Sequence, residues 1–280
     1  MKEIIIIGFI ILLVVIIIYL YYEKNTLDVS RYNIGNKKIP KKLDKYKIIQ
    51  VSDFHSIKSK KLVNDIVYNI KKEKPNIIVI TGDLFSNFND KNVKASTNFL
   101  KEIKNIAPIY FVSGNHEARS NNYSKIKNIL MDNNVTILDN KSIVIKYRGE
   151  EINLIGIDDP IMVNRGNIDN FDIIKKELCK ANFDKNKFDI LLSHRPEFFD
   201  TYVNNNVDLI LSGHTHGGQI RLPFIGAIYA PNQGLFPKYD CGLFKREDTT
   251  MIVSRGIGTS KLPIRINNKP ELVVVSLETK

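Results

Sequence analysis

Five short apolar runs limit the folds open to this chain: residues 46–52 (YKIIQVS), 76–81 (NIIVIT), 109–113 (IYFVS), 188–193 (FDILLS) and 207–212 (VDLILS). Each is rich in Ile, Val or Leu, has strand length, and is apolar at successive rather than alternate positions. A strand of that kind buries both of its faces. Between the runs lie stretches of helical period. Residues 60–74 place Leu62, Ile66, Val67 and Ile70 on one side and stop before Pro75. Residues 93–106, 123–131 and 168–181 are similar. Buried strands alternating with helices predict an α/β domain whose sheet is covered on both faces. Residues 140–158 look different: two strands flank RGEE and read as a hairpin. TMIVSRG and ELVVVSLE, near the end, add two more strands.

The N-terminus follows another rule. Residues 4–22 carry no charge. At about 1.5 Å per residue they nearly cross a hydrocarbon core of about 30 Å. A signal peptide has a shorter apolar region and a small-residue cleavage site, and no such site follows here. Tyr19, Tyr21 and Tyr22 crowd the exit instead, where Tyr suits a membrane interface. The reading is a retained single-span anchor at the cell membrane, with a cleaved signal or a buried core helix as alternatives. The expected organisation is an anchor over residues 1–23, a polar, lysine-rich stalk over 24–46, and one domain over 47–280. The anchor is expected to be needed for place and dispensable for chemistry. Lys24, Arg31, Lys37 and Lys38 after the span favour a cytoplasmic domain, but Glu23 and Asp28 dilute that flank, so the side stays open. Cys179 and Cys241 give no disulfide framework.

A net charge of +11 invites a nucleic-acid reading. Lysine is spread through the whole chain, no Lys/Arg run exceeds two residues, and no aromatic residues interleave with a basic stripe. The charge fits a compositional bias, and attraction to anionic headgroups at about 1 kcal/mol per Lys or Arg near the surface. Nucleic acid is therefore not an expected partner.

Every histidine in the chain falls just past the end of one of the five runs. Asp53 and His55 follow the first; Gly82 and Asp83 the second; Gly114, Asn115, His116 and Glu117 the third. His194 follows the fourth, and GHTHGG, with His214 and His216, the fifth. Open α/β sheets bind ligands at the carboxyl ends of their strands. Singly, each motif reads as a turn, and His194 as a satisfied buried histidine; together they predict a metal site. In extended chain, residues i and i+2 point the same way, so His214 and His216 converge, and the flanking glycines let main chain pass close to a bound group. Carboxylates, imidazoles and one carboxamide without a thiolate suit Mn, Fe, Zn or Co. The set is too large for one tetrahedral ion. It suits two divalent ions about 3.5–4 Å apart, bridged by a carboxylate and a water.

D-x-H, G-D, G-N-H-E, a lone H and G-H-T-H, in this order, resemble the calcineurin-like metallophosphoesterase superfamily. Residues 213–224 (GHTHGGQIRLPF) with 254–260 (SRGIGTS) are similar to a bacterial, often membrane-associated branch. The resemblance implies a four-layer α/β/β/α sandwich with metals at the sheet edge, two ions with Mn foremost, and attack on phosphorus by a bridging hydroxide. It assigns Asp53, His55 and His216 to one ion and Asn115, His194 and His214 to the other, with Asp83 bridging. His116 then faces the substrate phosphate and can protonate the leaving oxygen. One position departs from the pattern. Many relatives carry an acid three residues after the bridging Asp, to support the catalytic His; here Ser86 stands there. Glu117 or another acid is the expected substitute.

The function expected is a membrane-anchored, dinuclear phosphohydrolase, acting as a monomer on a phosphorylated small molecule or a lipid-linked phosphoester or pyrophosphate. The alternatives are a metal-dependent phosphodiesterase or nuclease, and a non-catalytic scaffold on the same fold. The missing basic-aromatic stripe argues against a nuclease, and the complete ligand set against a scaffold.

Overall fold

The computed structural model describes residues 1–163, 170–181, 183–259 and 263–280. The first half of the chain forms α1 (Lys2–Asn25), β1 (Asp28–Asn36), β2 (Lys47–Val51), α2 (Lys60–Glu73), β3 (Ile77–Thr81), α3 (Asp90–Ile103), β4 (Ile109–Val112), α4 (Asn115–Ala118), α5 (Tyr123–Asp132), β5 (Val135–Ile137), β6 (Lys141–Tyr147) and β7 (Glu150–Ile157). The second half forms α6 (Asn170–Lys180), β8 (Asp189–Ser193), α7 (Phe199–Asn204), β9 (Leu209–Ser212), four two-residue strands β10 (Arg221–Leu222), β11 (Gly226–Ala227), β12 (Tyr229–Ala230) and β13 (Gly234–Leu235), then β14 (Gly242–Arg246), β15 (Thr249–Val253) and β16 (Glu271–Thr279).

Two six-stranded sheets result, one ordered β1-β16-β2-β3-β4-β5 and the other β14-β15-β9-β8-β7-β6. Successive side chains of a strand point to opposite faces, which explains why the runs are apolar throughout. Ile49, Val51, Ile78 and Ile80 face outward onto Leu62, Ile66, Phe99 and Leu130 of α2, α3 and α5. Their neighbours Ile48, Ile77 and Val79 face inward and meet Ile190, Leu192, Leu209 and Leu211 of the second sheet. On its far side that sheet sends Leu191, Ile210 and Met251 onto Ile174, Leu178 and Tyr202 of α6 and α7. The layers run helix, sheet, sheet, helix, as expected from the motif resemblance.

Local signals set the ends of the elements. The Ser59 hydroxyl accepts from the Leu62 amide at the start of α2, and Lys74 ends that helix in the left-handed region (φ 51°) just before Pro75. Asn89 caps α3 by accepting from the Asn92 amide, so this helix starts three residues ahead of the expected 93. The expected hairpin is β6–β7. Its turn residues Arg148 and Gly149 both have positive φ, as a two-residue primed turn requires. The helix expected over 168–181 is present from Asn170; Ile168 lies outside the described residues, as does Ser260 of the SRGIGTS stretch.

The stalk expected over 24–46 is not one. Residues 28–36 form β1, paired in parallel with β16 from Asp28↔Glu271 to Asn36↔Thr279. Ile34, Ile39 and Leu43 are buried between the sheets. The domain therefore begins near Asp28, not at residue 47. An edge strand packs only part of its surface, so polar residues dominate β1 and hide its strand character. β16 is antiparallel to β2, so β1 is too, and the α1–β1 junction lies at the carboxyl ends of β2, β3 and β4.

α1 has a mean hydropathy of 3.3 over its most apolar window, none of which is buried, so it is not a core helix. Only its last turns meet the domain. The Tyr19 hydroxyl donates to Asn267 Oδ1 (2.9 Å), and the buried Glu23 carboxylate accepts from the Asn268 amide (2.8 Å).

Candidate metal centre

The carboxyl ends of β2, β3, β4, β8 and β9 meet at one edge between the sheets. Asp53, His55, Asp83, Asn115, His194, His214 and His216 are all buried there, and His116 is half-buried. The tight spacing demands unusual backbone. Asp53, His55, Asp83, His214 and His216 all have positive φ, between 48° and 71°. Side chains other than glycine rarely occupy that region, and such strain persists only where surrounding contacts enforce it. Gly213 is needed for closeness: a Cβ there would run into the Ser52 hydroxyl and the Asp53 carboxylate.

The side chains divide around Asp83. On one side, His55 Nε2 lies 3.1 Å from His216 Nε2, and His216 Nε2 lies 3.3 Å from Asp53 Oδ1. On the other, His194 Nε2 lies 3.2 Å from His214 Nδ1. Asp83 Oδ2 stands between, 3.6 Å from His55 Nε2 and 3.4 Å from His194 Nε2. The orientation of each ring is fixed from behind. His194 Nδ1–H donates to the Thr81 carbonyl (2.7 Å), which turns Nε2 toward the cage. His214 Nε2–H donates to Asn232 Oδ1 (2.9 Å), which leaves Nδ1 facing inward. The Asp53 carboxylate accepts from the His214 amide and from the Ser52 hydroxyl.

These atoms fit a cation. The Asn115 carboxamide oxygen is buried without a hydrogen-bond partner. Imidazole nitrogens facing one another at 3.1–3.2 Å want something electropositive between them. Burial pushes His55 and His216 down to about 3, which keeps both neutral, the state in which imidazole ligates. His194 moves the other way: burial would push it down, but the Asp83 and Asp53 carboxylates lift it to about 10. Burial would raise Asp83, yet His194, followed by His55 and His116, holds it well below the usual carboxylate range. Asp53, in the same cage, is raised by burial. Two buried carboxylates that draw a proton onto a histidine mark a cavity short of positive charge. Among the described residues, Asp53, His55 and His216, and separately Asp53, Asp83 and His194, hold ligand atoms within 4.8 Å of one another.

His116 sits at the rim. Its amide donates to Asp83 Oδ1 (2.8 Å), and its Nε2 lies 3.9 Å from Asp83 Oδ2. The partner of its Nδ1–H is the Ser86 carbonyl, at 2.5 Å. The expected acid substitute is therefore not Glu117. That carboxylate turns away and accepts from the amides of Asp83 (2.8 Å), Phe85 (2.9 Å) and Gly114 (2.9 Å), tying the loops after β3 and β4 together. Position 86 does support the histidine, but through its main chain.

Sequence reasoning misses a second ring of residues. The buried Arg195 pairs with Asp159 through Nε–Oδ2 (2.5 Å) and Nη2–Oδ1 (3.2 Å), and donates from Nη1 to Asn232 Oδ1 (2.7 Å). This network holds Asn232 against His214. The signal for Asp159 was present: β7 is a sixth apolar run, and Asp158 and Asp159 follow its end as the site residues follow theirs. Asn232 lies in a loop and carries no such signal. Asn268 Nδ2 donates to the His216 carbonyl (2.7 Å), which links this metal-site loop to Glu23 and so to α1. The cavity above the cage has a volume of about 520 Å³; His116, Arg119, Ile220, Ile228 and Tyr229 are among its walls.

A family model described as calcineurin-like phosphoesterase matches residues 46–218, a span that contains all eight candidate residues. The chain is 30% identical over 263 residues to YkuE of Bacillus subtilis, an uncharacterized metallophosphoesterase, covering 92% of this chain and 88% of the relative. It is 35% identical over 250 residues to an uncharacterized metallophosphoesterase of Helicobacter pylori, covering 85% and 62% of the two chains. Among solved structures it is similar to the sulfate thiohydrolase SoxB of Thermus thermophilus, with a TM-score of 0.50, 12% identity, and coverage of 90% and 58%; this likeness concerns fold alone. Ordered motifs, a cage short of positive charge, and relatives matched over most of this chain agree: the chain belongs to the calcineurin-like phosphoesterases and is a metal-dependent hydrolase of phosphoester bonds.

Proposed function

We infer that the chain is a membrane-anchored phosphohydrolase with a two-ion centre, acting on a phosphoester or pyrophosphate bond of a lipid-linked substrate. The observation that carries the two-ion reading is the placement of Asp83 Oδ2 between two imidazole sets, 3.6 Å from one and 3.4 Å from the other. Asp53, His55 and His216 would hold one ion, and Asn115, His194 and His214 the other, with Asp83 shared. Two divalent ions, of Mn or alternatively Fe, Zn or Co, would supply Lewis acidity toward the phosphoryl oxygens and a nucleophilic water.

The remaining work falls to the chain. Strain and buried hydrogen bonds hold the ligand atoms in place before substrate arrives, so little reorganisation accompanies reaction. With Nδ1–H held by the Ser86 carbonyl, the His116 ring can present a proton at Nε2 to a leaving oxygen over Asp83. Arg119, on the wall of the cavity, is a cation available to the phosphate. Ile220, Ile228 and Tyr229, on the same wall, offer apolar surface to the rest of the substrate. α1 has the length and composition of a bilayer span and enters the domain at the edge where the cage lies. This supports a lipid-borne substrate and a chain fixed at the cell membrane.

The test is hydrolysis of an aryl phosphate by the full chain in detergent, with chelation and re-addition of Mn, Fe, Zn or Co, and a count of bound metal. About two ions per chain and metal-restored turnover support the reading. One ion at full turnover would remove the shared role of Asp83; no turnover with any metal would remove the enzyme.

A further inference from the structure

The segment from Arg221 to Phe236 buries only two small residues, Ala227 and Ala230. It folds as two small hairpins, β10–β11 and β12–β13, joined through Ile228: its amide donates to the Ile220 carbonyl (3.2 Å), and its carbonyl accepts from the Phe236 amide (2.9 Å). Leu222, Phe224, Ile225, Tyr229, Leu235 and Phe236 all stand exposed on this unit, Phe224 at 109%. Scattered surface hydrophobes need no explanation, but six within fifteen residues of a two-hairpin unit mark an interaction surface. Among the described residues, no helix or strand of the domain covers them.

What covers them follows from α1. Asn267 bonds Tyr19 in both directions, its amide donating to the hydroxyl (3.1 Å) and its Oδ1 accepting from it (2.9 Å). Its Nδ2 donates to the Arg221 carbonyl (3.1 Å), at the base of the first hairpin. The hairpin is thus fastened beside Tyr19, in the last turns of α1. A span of residues 4–22 places Tyr19–Tyr22 at the boundary between hydrocarbon and headgroups, where tyrosine is favoured. A loop bonded beside Tyr19, with its tip open, lies at that same boundary. Basic groups flank it: Lys269 lies over the Tyr22 ring at 4.9 Å, and the exposed Lys238 follows the second hairpin. An apolar tip, Phe224 and Ile225, with a basic border matches an interface of acyl chains and anionic headgroups.

We propose that the first hairpin inserts its apolar tip, Phe224 and Ile225, into the bilayer beside α1, with Leu235 and Phe236 against the same interface, and fixes the metal cavity, walled by the adjoining Ile228 and Tyr229, against the membrane surface. The proposal rests on the reading of α1 as a retained span.

The chain contains no tryptophan, so one introduced residue is a unique reporter. Full-length Phe224→Trp is reconstituted in phosphatidylcholine–phosphatidylglycerol vesicles containing a dibrominated phosphatidylcholine. The expected result is blue-shifted emission, quenching by the brominated chains, and shielding from iodide. Ile10→Trp in α1 serves as the reference for the span. Met131→Trp, at the end of α5 and on the opposite edge of the first sheet from the cage, should stay open to iodide. Quenching at position 10 with iodide access at 224 equal to that at 131 would keep the anchor and overturn the proposal. Lack of quenching at both 10 and 224 would overturn both. Quenching at 224 in a Phe224→Trp chain whose aryl phosphate turnover matches the parent establishes insertion by a folded enzyme.

Discussion

The cage and the hairpin unit share one cavity and are built on opposite terms. In the cage, the ligand side chains are buried, their backbone is strained, and partners such as Thr81 and Asn232 fix their orientation from behind. In the hairpins, the large apolar side chains stand exposed and the strands are two residues long, while Asn232, in the β12–β13 turn, reaches back to the cage. The cage hangs from the ends of five core strands, so changing it disturbs chemistry. The hairpins hang from the cage loop and the foot of α1, so changing them should alter where the chemistry happens. Four variants probe that division.

The largest effect is expected from Asp83→Asn. An amide bridges two cations poorly and brings no negative charge to the cage. Metal content should fall from about two ions toward one or none, and turnover should be abolished, with the fold retained because the Asn oxygen can still accept from the His116 amide. Full turnover with two bound ions would break the assignment of Asp83 as the shared ligand.

His116→Ala comes next. Turnover should drop by about 10²–10⁴, the range for loss of a general acid, with metal content near that of the parent. A nitrophenolate leaving group needs little protonation, so the loss should be smaller for nitrophenyl phosphate than for an alkyl phosphate. Metal loss in this variant would place His116 inside the cage rather than at its rim.

Asn268→Ala sharpens the link between cage and α1. It removes the Asn268 donor to the His216 carbonyl, which keeps the Gln219 amide (3.1 Å), so the cost is that of one buried hydrogen bond, about 0.5–1.5 kcal/mol. Denaturant midpoints would read this cost, and turnover should change less than in the first two variants. The same reasoning revises the expectation that the anchor is dispensable for chemistry. A chain beginning at Lys24 lacks the Glu23 carboxylate that the Asn268 amide bonds, and should be less stable than one beginning at Tyr19.

The smallest effect in solution is expected from Phe224→Ser combined with Ile225→Ser. Both side chains are exposed, so stability should stay within about 0.5 kcal/mol and aryl phosphate turnover should not change. A drop in soluble turnover matching that of His116→Ala would show that the hairpins belong to the cage after all.

Legibility in the sequence followed the same division. The five runs, their helices and the residues after them were readable because period and order are local properties. β1 was not, because an edge strand with one fully buried side chain, Ile34, has a polar composition. The partner of His116 was hidden because a main-chain carbonyl has no residue signature. Asp159 follows β7 as the site residues follow their strands, but β7 is also half of a hairpin, and a hairpin strand carries no expectation of a ligand at its end. Asn232 meets His214 from the β12–β13 turn, eighteen positions along the chain, and no period predicts such a contact.

The pairing of β1 with β16 sets how far the enzyme can reach. A stalk over residues 24–46 could extend roughly 75 Å at about 3.3 Å per residue, enough to hold the cage well clear of a surface. Instead only Thr26 and Leu27 separate α1 from the first strand, a slack of about 7 Å. With α1 in a bilayer, the cage would work within a thin layer at fixed height, and a phosphate could meet it only by moving sideways in the membrane or by diffusing in along its surface.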